Sequence, residues 1–273
     1  MIKFALKSQI PYLKEIWREC FDDSEEGINY YFDNKFTEEN ALIWEENNIP
    51  VSMLMLLPAV VYYKSKRYDI KYIYAVSTLK KYRNKGFSSK LLEYANTMYE
   101  TVLVPAEEKL FNFYKNKGYD LGFYVKRAEF DIEDIENVII RNKIIIKDIT
   151  YQEYKDIRDN IFLKDGYIMW SFDDIKYAIE QNKIYGGKVC KILINGNKFA
   201  IMYYKDKEKL IVKEAAIDNK YMKEILTFLA INENCTHIKA ILSPNATIDG
   251  DIQAFGLCTM KYIKNGYINL VLD

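Results

Sequence analysis

Apolar residues recur at helical spacing over Ile10 to Phe21, where Ile10, Leu13, Ile16, Trp17, Cys20 and Phe21 share one face, and again at Ile28, Tyr31, Phe32 and Phe36. The acidic run Asp22-Asp23-Ser24-Glu25-Glu26 before the second stretch suits a helix N-terminus. Alternation over residues 1–7 predicts a strand, and Ala41 to Glu46, Val51 to Tyr63 and Tyr68 to Thr78 predict an antiparallel meander that turns at Asn47-Asn48-Ile49-Pro50 and Lys64-Ser65-Lys66. A basic, glycine-containing turn then opens a helix that buries Leu91, Leu92, Ala95 and Met98, and the short strand Thr101 to Val104 follows. Strand, turn, helix and strand in that order make a crossover unit. Glu107 to Lys117 reads as a helix closed by Gly118, and Tyr119 to Phe130 as a returning strand.

From Asp131 to Asn142 the chain turns acidic and then basic without an apolar face, which marks a boundary. A second cycle follows. Lys143 to Ile149 reads as a strand, Tyr151 to Phe162 and Phe172 to Gln181 as helices, and Lys188 to Ile194 with Lys198 to Tyr204 as a hairpin about Asn195-Gly196-Asn197. The strand Leu210 to Ile217 feeds a helix over Asn219 to Asn232, then the strand His237 to Leu242 and a closing hairpin of Cys258 to Ile263 with Ile268 to Leu272. The repeated order of elements points to an internal duplication. The predicted fold is α/β, a mixed α+β sheet, in two tandem domains, each a mostly antiparallel central sheet flanked by helices. Residues 1–130 form the first domain, 131–142 a linker and 143–273 the second.

Composition narrows the function classes. The 273 residues are 49% apolar, enough for a substantial core, and Lys+Arg 39 against Asp+Glu 39 gives no global pull toward nucleic acid or an anionic membrane. Any basic site must be local. Cys20, Cys190, Cys235 and Cys258 are scattered without the close pair of a zinc or redox motif, so no metal is expected and reduced thiols in a cytoplasmic protein are. The N-terminal residues lack a signal-peptide core, and Met53 to Tyr63, broken by Pro58, is too short to span a bilayer. The single histidine, His237, lies far in sequence from the basic turn and reads as structural.

The chemistry concentrates in Val76-Ser77-Thr78-Leu79-Lys80-Lys81-Tyr82-Arg83-Asn84-Lys85-Gly86-Phe87-Ser88. The first turn of a helix leaves backbone N–H groups without partners, and the helix dipole adds positive potential at the same end, so anions settle there. Gly86 lets the backbone approach a bulky anion, Ser88 and Ser89 can donate, and Arg83 and Lys85 add charge. The matching turn of the second half, Ile217-Asp218-Asn219-Lys220-Tyr221-Met222, has no glycine and carries an acid. That half has no anion site.

Arg83-Asn84-Lys85-Gly86-Phe87-Ser88 resembles the signature of the GNAT family, the Gcn5-related N-acetyltransferases: Arg or Gln, two residues, Gly, one residue, then Gly or Ala opening a helix, with Ser88 as the one departure. Leu110-Phe111-Asn112-Phe113-Tyr114-Lys115-Asn116-Lys117-Gly118-Tyr119 looks like the family's later segment ending in Tyr, three residues, Gly and an aromatic. The resemblance implies an N-acetyltransferase that moves an acetyl group from acetyl-CoA to an amine of a small molecule or peptide by direct transfer. It implies that backbone groups of Val76, Ser77 and Thr78 bond the pantetheine arm and that Arg83 through Ser88 cradle the diphosphate. Tyr114 would protonate the leaving thiolate, with core packing beside Leu110, Phe111 and Phe113 as the plain alternative.

The family often places a general-base Glu on the strand corresponding to Tyr68–Val76, which here holds none. Tyr72 and Tyr74 share one face and either line the acceptor pocket or fill core. Glu45 and Glu46 are alternative bases or solvent-facing residues. The terminal carboxylate of Asp273 is a further possible base, by resemblance to the Eis group of aminoglycoside acetyltransferases. Two other readings stand beside the enzyme: a CoA-binding regulatory protein without turnover, and a Fem-like aminoacyl transferase.

Overall fold

A computed structural model describes residues 1–132 and 140–270, and these fall into two compact units. The first comprises Met1–Val61, Arg67–Gly122 and Gly256–Lys264. Its strands are β1 (Ile2–Phe4), β2 (Ala41–Glu46), β3 (Ile49–Tyr63), β4 (Lys66–Thr78) and β5 (Thr101–Leu103), with helices α1 (Ile10–Cys20), α2 (Glu25–Asn34), α3 (Phe87–Met98) and α4 (Leu110–Lys115). The sheet runs β1-β2-β3-β4-β5, with β1/β2 and β2/β3 antiparallel and β4/β5 parallel. α2 starts where its sequence says it should. Ser24 caps it by accepting the Gly27 N–H at 3.1 Å, and Glu25 and Glu26 occupy the positive end of its dipole. α3 turns Leu91, Leu92 and Ala95, all without exposed surface, onto Leu54, Leu56 and Ile73. Each such leucine contributes about 1.5–3 kcal/mol through burial.

The second unit holds β6 (Asp120–Asp131) from Phe123 on, β7 (Ile144–Lys147), α5 (Tyr151–Phe162), β8 (Tyr167–Met169), α6 (Phe172–Ile184), β9 (Lys188–Ile194), β10 (Asn197–Asp206), β11 (Lys209–Ala216), α7 (Asn219–Asn232) and β12 (His237–Leu242). Its sheet runs β7-β9-β10-β11-β12-β6, and only β11/β12 is parallel. The order repeats that of the first unit, with one parallel pair at the same place.

The unit boundaries correct the division at 131–142, part of which lies outside the described residues. The returning strand β6, expected to close the first domain, pairs antiparallel with β12 through Lys126–Asp131 and belongs mostly to the second unit. The first unit takes instead the end of β13 (Asp251–Cys258), where Leu257 and Cys258 pair with Leu103 and Val102 of β5. Each unit therefore completes its sheet with a strand from the other half of the chain. β13 also replaces the expected hairpin of residues 258–263 with 268–272: a strand forms over 251–258, and the second arm forms none among its described residues.

Both strands that lead to a crossover helix depart from regular strand geometry. In β4, Ala75 adopts φ 51°, a left-handed conformation inside a strand. Ile73 and Val76, which strict alternation would put on opposite faces, consequently both pack toward α3. In β11 the register shifts so that Met202 faces Glu214 and Tyr203 faces Val212, leaving Lys213 as the extra residue. Val212 and Ala215 then share the apolar cluster under α7.

His237 is tied down as a structural residue. Its Nδ1 lies 2.6 Å from Asp131 and its Nε2 3.0 Å from Glu129, on the neighbouring strand, and these carboxylates raise its pKa.

Candidate active site

β4 ends at Thr78, a short 3-10 turn follows over Lys80–Tyr82, and α3 begins after Gly86. Asn84 (φ 63°) and Gly86 (φ 78°) both lie in the left-handed region, so the chain reverses tightly on either side of Lys85. Gly86 occupies the N-cap position with no side chain capping the helix, and the first turn of α3 holds no acid. The N–H groups of that turn thus keep their capacity for an external anion.

Arg83 is exposed, yet its Nε donates to the Thr78 carbonyl at 3.1 Å and one Nη approaches Cys20 Sγ at 3.6 Å. It pins the helix start to the strand end. The Ser77 carbonyl accepts from Ser52 Oγ at 2.8 Å, and Ser52 also meets the Thr78 hydroxyl at 2.8 Å. The carbonyls of Ser77 and Thr78 are thus partly engaged by the protein itself. Phe87, the first residue of α3, stacks on Trp44 of β2 with ring centroids 4.7 Å apart and planes 13° apart. That stack anchors the turn to the sheet, a contribution that the sequence pattern did not single out.

The parallel pairing of β4 with β5 stops at Tyr72 and Val102, six residues before β4 ends, so the strands separate beyond that point. Ala75, in a left-handed conformation at φ 51°, lies in this length of β4. Tyr114 on α4 joins the same apolar cluster as Val76, Trp44 and α3, which places it on the helix α3 face of β4. It is 7% exposed, its hydroxyl has no hydrogen-bond partner among the described residues, and burial pushes its phenol up to about 12. Its rings of contact are Phe113 at 5.1 Å and Tyr119 at 6.0 Å. Tyr119 differs: its hydroxyl is bound to Thr101 and Asn96, each at 2.9 Å, and is structural.

Tyr72 and Tyr74 share the other face of β4, with ring centroids 6.1 Å apart. Tyr74 also packs on Trp17 and Tyr31 of α1 and α2. Tyr72 is 2% exposed and is core; Tyr74 keeps a partly exposed edge.

The candidate bases fare unevenly. Glu45 does not face solvent: it is 5% exposed, pairs with Lys3 at 2.6 Å and accepts from Gln9 at 2.8 Å, and the Lys3 contact above all lowers its pKa. Glu46 accepts the Trp44 indole N–H at 2.6 Å. Asp273 lies outside the described residues.

Residues 1–122 match the model of the acetyltransferase (GNAT) domain. They are a GNAT domain. A comparison with curated protein sequences finds no match. Among solved structures, a probable N-acyltransferase from Enterococcus faecalis V583 matches with a TM-score of 0.73 at 15% identity, over 94% of this chain and 71% of its own. A GCN5-related N-acetyltransferase from Anabaena variabilis matches with a TM-score of 0.74 at 15% identity, over 94% of this chain and 72% of its own. Eis1 from Mycobacterium abscessus matches with a TM-score of 0.68 at 9% identity, over 94% and 73%. At these identities the likeness is one of fold, and it extends over both units.

The second unit, although it repeats the strand order, closes the corresponding helix start. Asp218 caps α7 by accepting the Lys220 N–H at 2.8 Å, so a protein carboxylate holds the place that an external anion would need. Asp218→Ala is expected to cost about 0.5–2 kcal/mol, lowering the thermal midpoint by roughly 2–4 °C per kcal/mol in a thermal melt. Among the described residues no group of His, Cys, Asp and Glu forms a metal site, and no helix is long and apolar enough to cross a membrane.

Proposed function

We propose that the chain is an acetyl-CoA-dependent N-acetyltransferase, acting on an amine of a small molecule or peptide by direct transfer in the cytoplasm. The observation that carries this reading is the uncapped, acid-free start of α3 following a strand that turns left-handed at Ala75 and separates from its parallel neighbour. The coenzyme diphosphate would lie on the N–H groups of Phe87 to Ser89 with Arg83, Asn84, Lys85 and Gly86 around it. The pantetheine arm would run along Val76 to Thr78 into the opening between β4 and β5.

A backbone N–H turned by the left-handed Ala75 would polarise the thioester carbonyl as negative charge develops on its oxygen. The amine, approaching past Tyr74, attacks the carbonyl carbon and the C–S bond breaks; Tyr114 delivers its proton to the departing sulfur, the nitrogen sheds a proton to solvent water, and Tyr114 is reprotonated from solvent. The unhindered phenol of Tyr114, kept neutral by burial, is suited to that step.

Calorimetry with acetyl-CoA tests the reading. Wild type should bind in the micromolar range, and Gly86→Asp should weaken binding about a hundredfold, because a carboxylate at the helix start repels the diphosphate and competes for N–H bonds worth roughly 1.5–3 kcal/mol. Absence of binding by a folded wild type would sink the proposal. The engagement of Glu45 by Lys3 and Gln9, with no Glu on β4, favours as second reading a CoA-binding protein without turnover. Steady thiol release with any amine in a broad panel would exclude it.

A further inference from the structure

Ala75 stands at φ 51° inside β4, in a region that residues with a Cβ rarely enter. Nothing in an alanine side chain favours that conformation, so its surroundings must hold it. The group that does so lies two residues further on. Ser77 Oγ donates to the Ala75 carbonyl at 3.1 Å, and both residues are buried. Away from solvent neither group has water to turn to, so removal of the hydroxyl would not be made good by hydration.

That bond fixes more than one atom. A trans peptide is planar, with its C=O and N–H pointing in opposite directions, so whatever holds the Ala75 carbonyl also sets the direction of the Val76 N–H. The peptides that follow are held in the same manner. Ser52 Oγ, on β3 and without exposed surface, donates to the Ser77 carbonyl at 2.8 Å, and Arg83 Nε donates to the Thr78 carbonyl at 3.1 Å. Pairing with β5 ends at Tyr72, and from Ala75 onward side-chain donors set the carbonyl directions of Ala75, Ser77 and Thr78. The Ser52 and Arg83 bonds secure the strand end; the Ser77 bond acts at the left-handed residue itself. A hydrogen-bond donor stabilises developing charge best when it is aligned in advance, so a hydroxyl that never touches the donor molecule still bears on the reaction through direction alone.

We propose that Ser77 is a positioning residue, whose hydroxyl holds the Ala75–Val76 peptide so that the Val76 N–H points at the thioester carbonyl. This rests on the acetyl-CoA reading and adds the side chain that aims the polarising group.

Infrared difference spectroscopy of acetyl-CoA, isotope-labelled at its carbonyl carbon and bound to the full chain, tests it with Ser77→Thr and Ser77→Val as a pair. Both substitutions add a β-branch, and only threonine keeps the hydroxyl. In wild type and Ser77→Thr the bound carbonyl band should be narrow and lie at lower wavenumber than in Ser77→Val, where a misdirected N–H leaves the carbonyl less polarised and the band broad. Acetyl-CoA affinity by calorimetry should stay within about tenfold across the set, because a single neutral hydrogen bond is at stake. If Ser77→Val does not fold, Ser77→Ala removes the hydroxyl without added volume and carries the same expectation. Identical bands in wild type and the hydroxyl-free variants, or a shift shared by Ser77→Thr and Ser77→Val, would assign Ser77 to packing and overturn this inference while leaving the acetyl-CoA reading in place. A folded wild type that binds no acetyl-CoA overturns both.

Discussion

Tyr114→Phe is expected to lower kcat by about 10²–10³-fold while leaving acetyl-CoA affinity and thermal stability near those of wild type. The asymmetry follows from the surroundings of the side chain. Phenylalanine keeps the packing on Phe113 and Tyr119, and the lost hydroxyl had no hydrogen bond to the protein to forfeit. On the proposed mechanism, what disappears is the proton for the leaving sulfur. Because burial raises the phenol to about 12, Tyr114 stays in its acid form across the working pH range, so a fall in rate between pH 8 and 10 would belong to another group. A Tyr114→Phe enzyme within about threefold of wild type in kcat would assign the residue to packing.

The second large effect is on stability. Glu214→Leu is expected to destabilise the protein by about 3–5 kcal/mol in chemical denaturation, because it leaves Arg158 charged in the core of the second unit. Both side chains are fully buried, and Arg158 Nε reaches the two Glu214 oxygens at 3.2 and 2.8 Å. Tyr154 donates to the same carboxylate at 3.1 Å, and Arg158 also meets Tyr167 and the Ile168 carbonyl, while its Nη2 finds no hydrogen-bond partner among the described residues. Glu214 keeps Arg158 protonated well above its usual range. Arg158→Met/Glu214→Leu should recover most of the loss, since the double change removes both desolvation costs and the orphaned Nη2 together. If the single variant does not fold, the double variant still reads out the pair: a stability well below wild type would show that the ion pair is a net contributor.

The contrast between these two sites says what the amino-acid pattern reveals. The turn and the start of α3 after Gly86 were legible because their signal is local: a basic turn, a glycine and a helix start within six residues. The helix that carries Tyr114 was legible through its apolar spacing and the Gly118 that follows it. The left-handed Ala75 was not, because alanine carries no signal for that conformation and the residues around it alternate as an ordinary strand would. Arg158 carried no signal of burial of its own, although Tyr154, Arg158 and Phe162 fall on one line at four-residue spacing, all buried. Glu45 looked solvent-facing because its partner Lys3 lies on a different strand. β13 was missed because its pairing partner on β5 lies some 150 residues earlier in the chain; Asp251, Gln253 and Gly256 are poor strand formers taken singly.

The crossed final strands also constrain how the chain can be made. As it leaves the ribosome, the N-terminal half presents β5 with an open edge that is not covered until Leu257 and Cys258 emerge, and β6 must wait for β12. The pairing that finishes the first sheet is therefore among the longest-range contacts in the molecule, slow to close and exposed to wrong partners in the interval. The first unit is thus not complete when its basic turn has been translated; it is complete only when residues 256–264 are free to pair with β5.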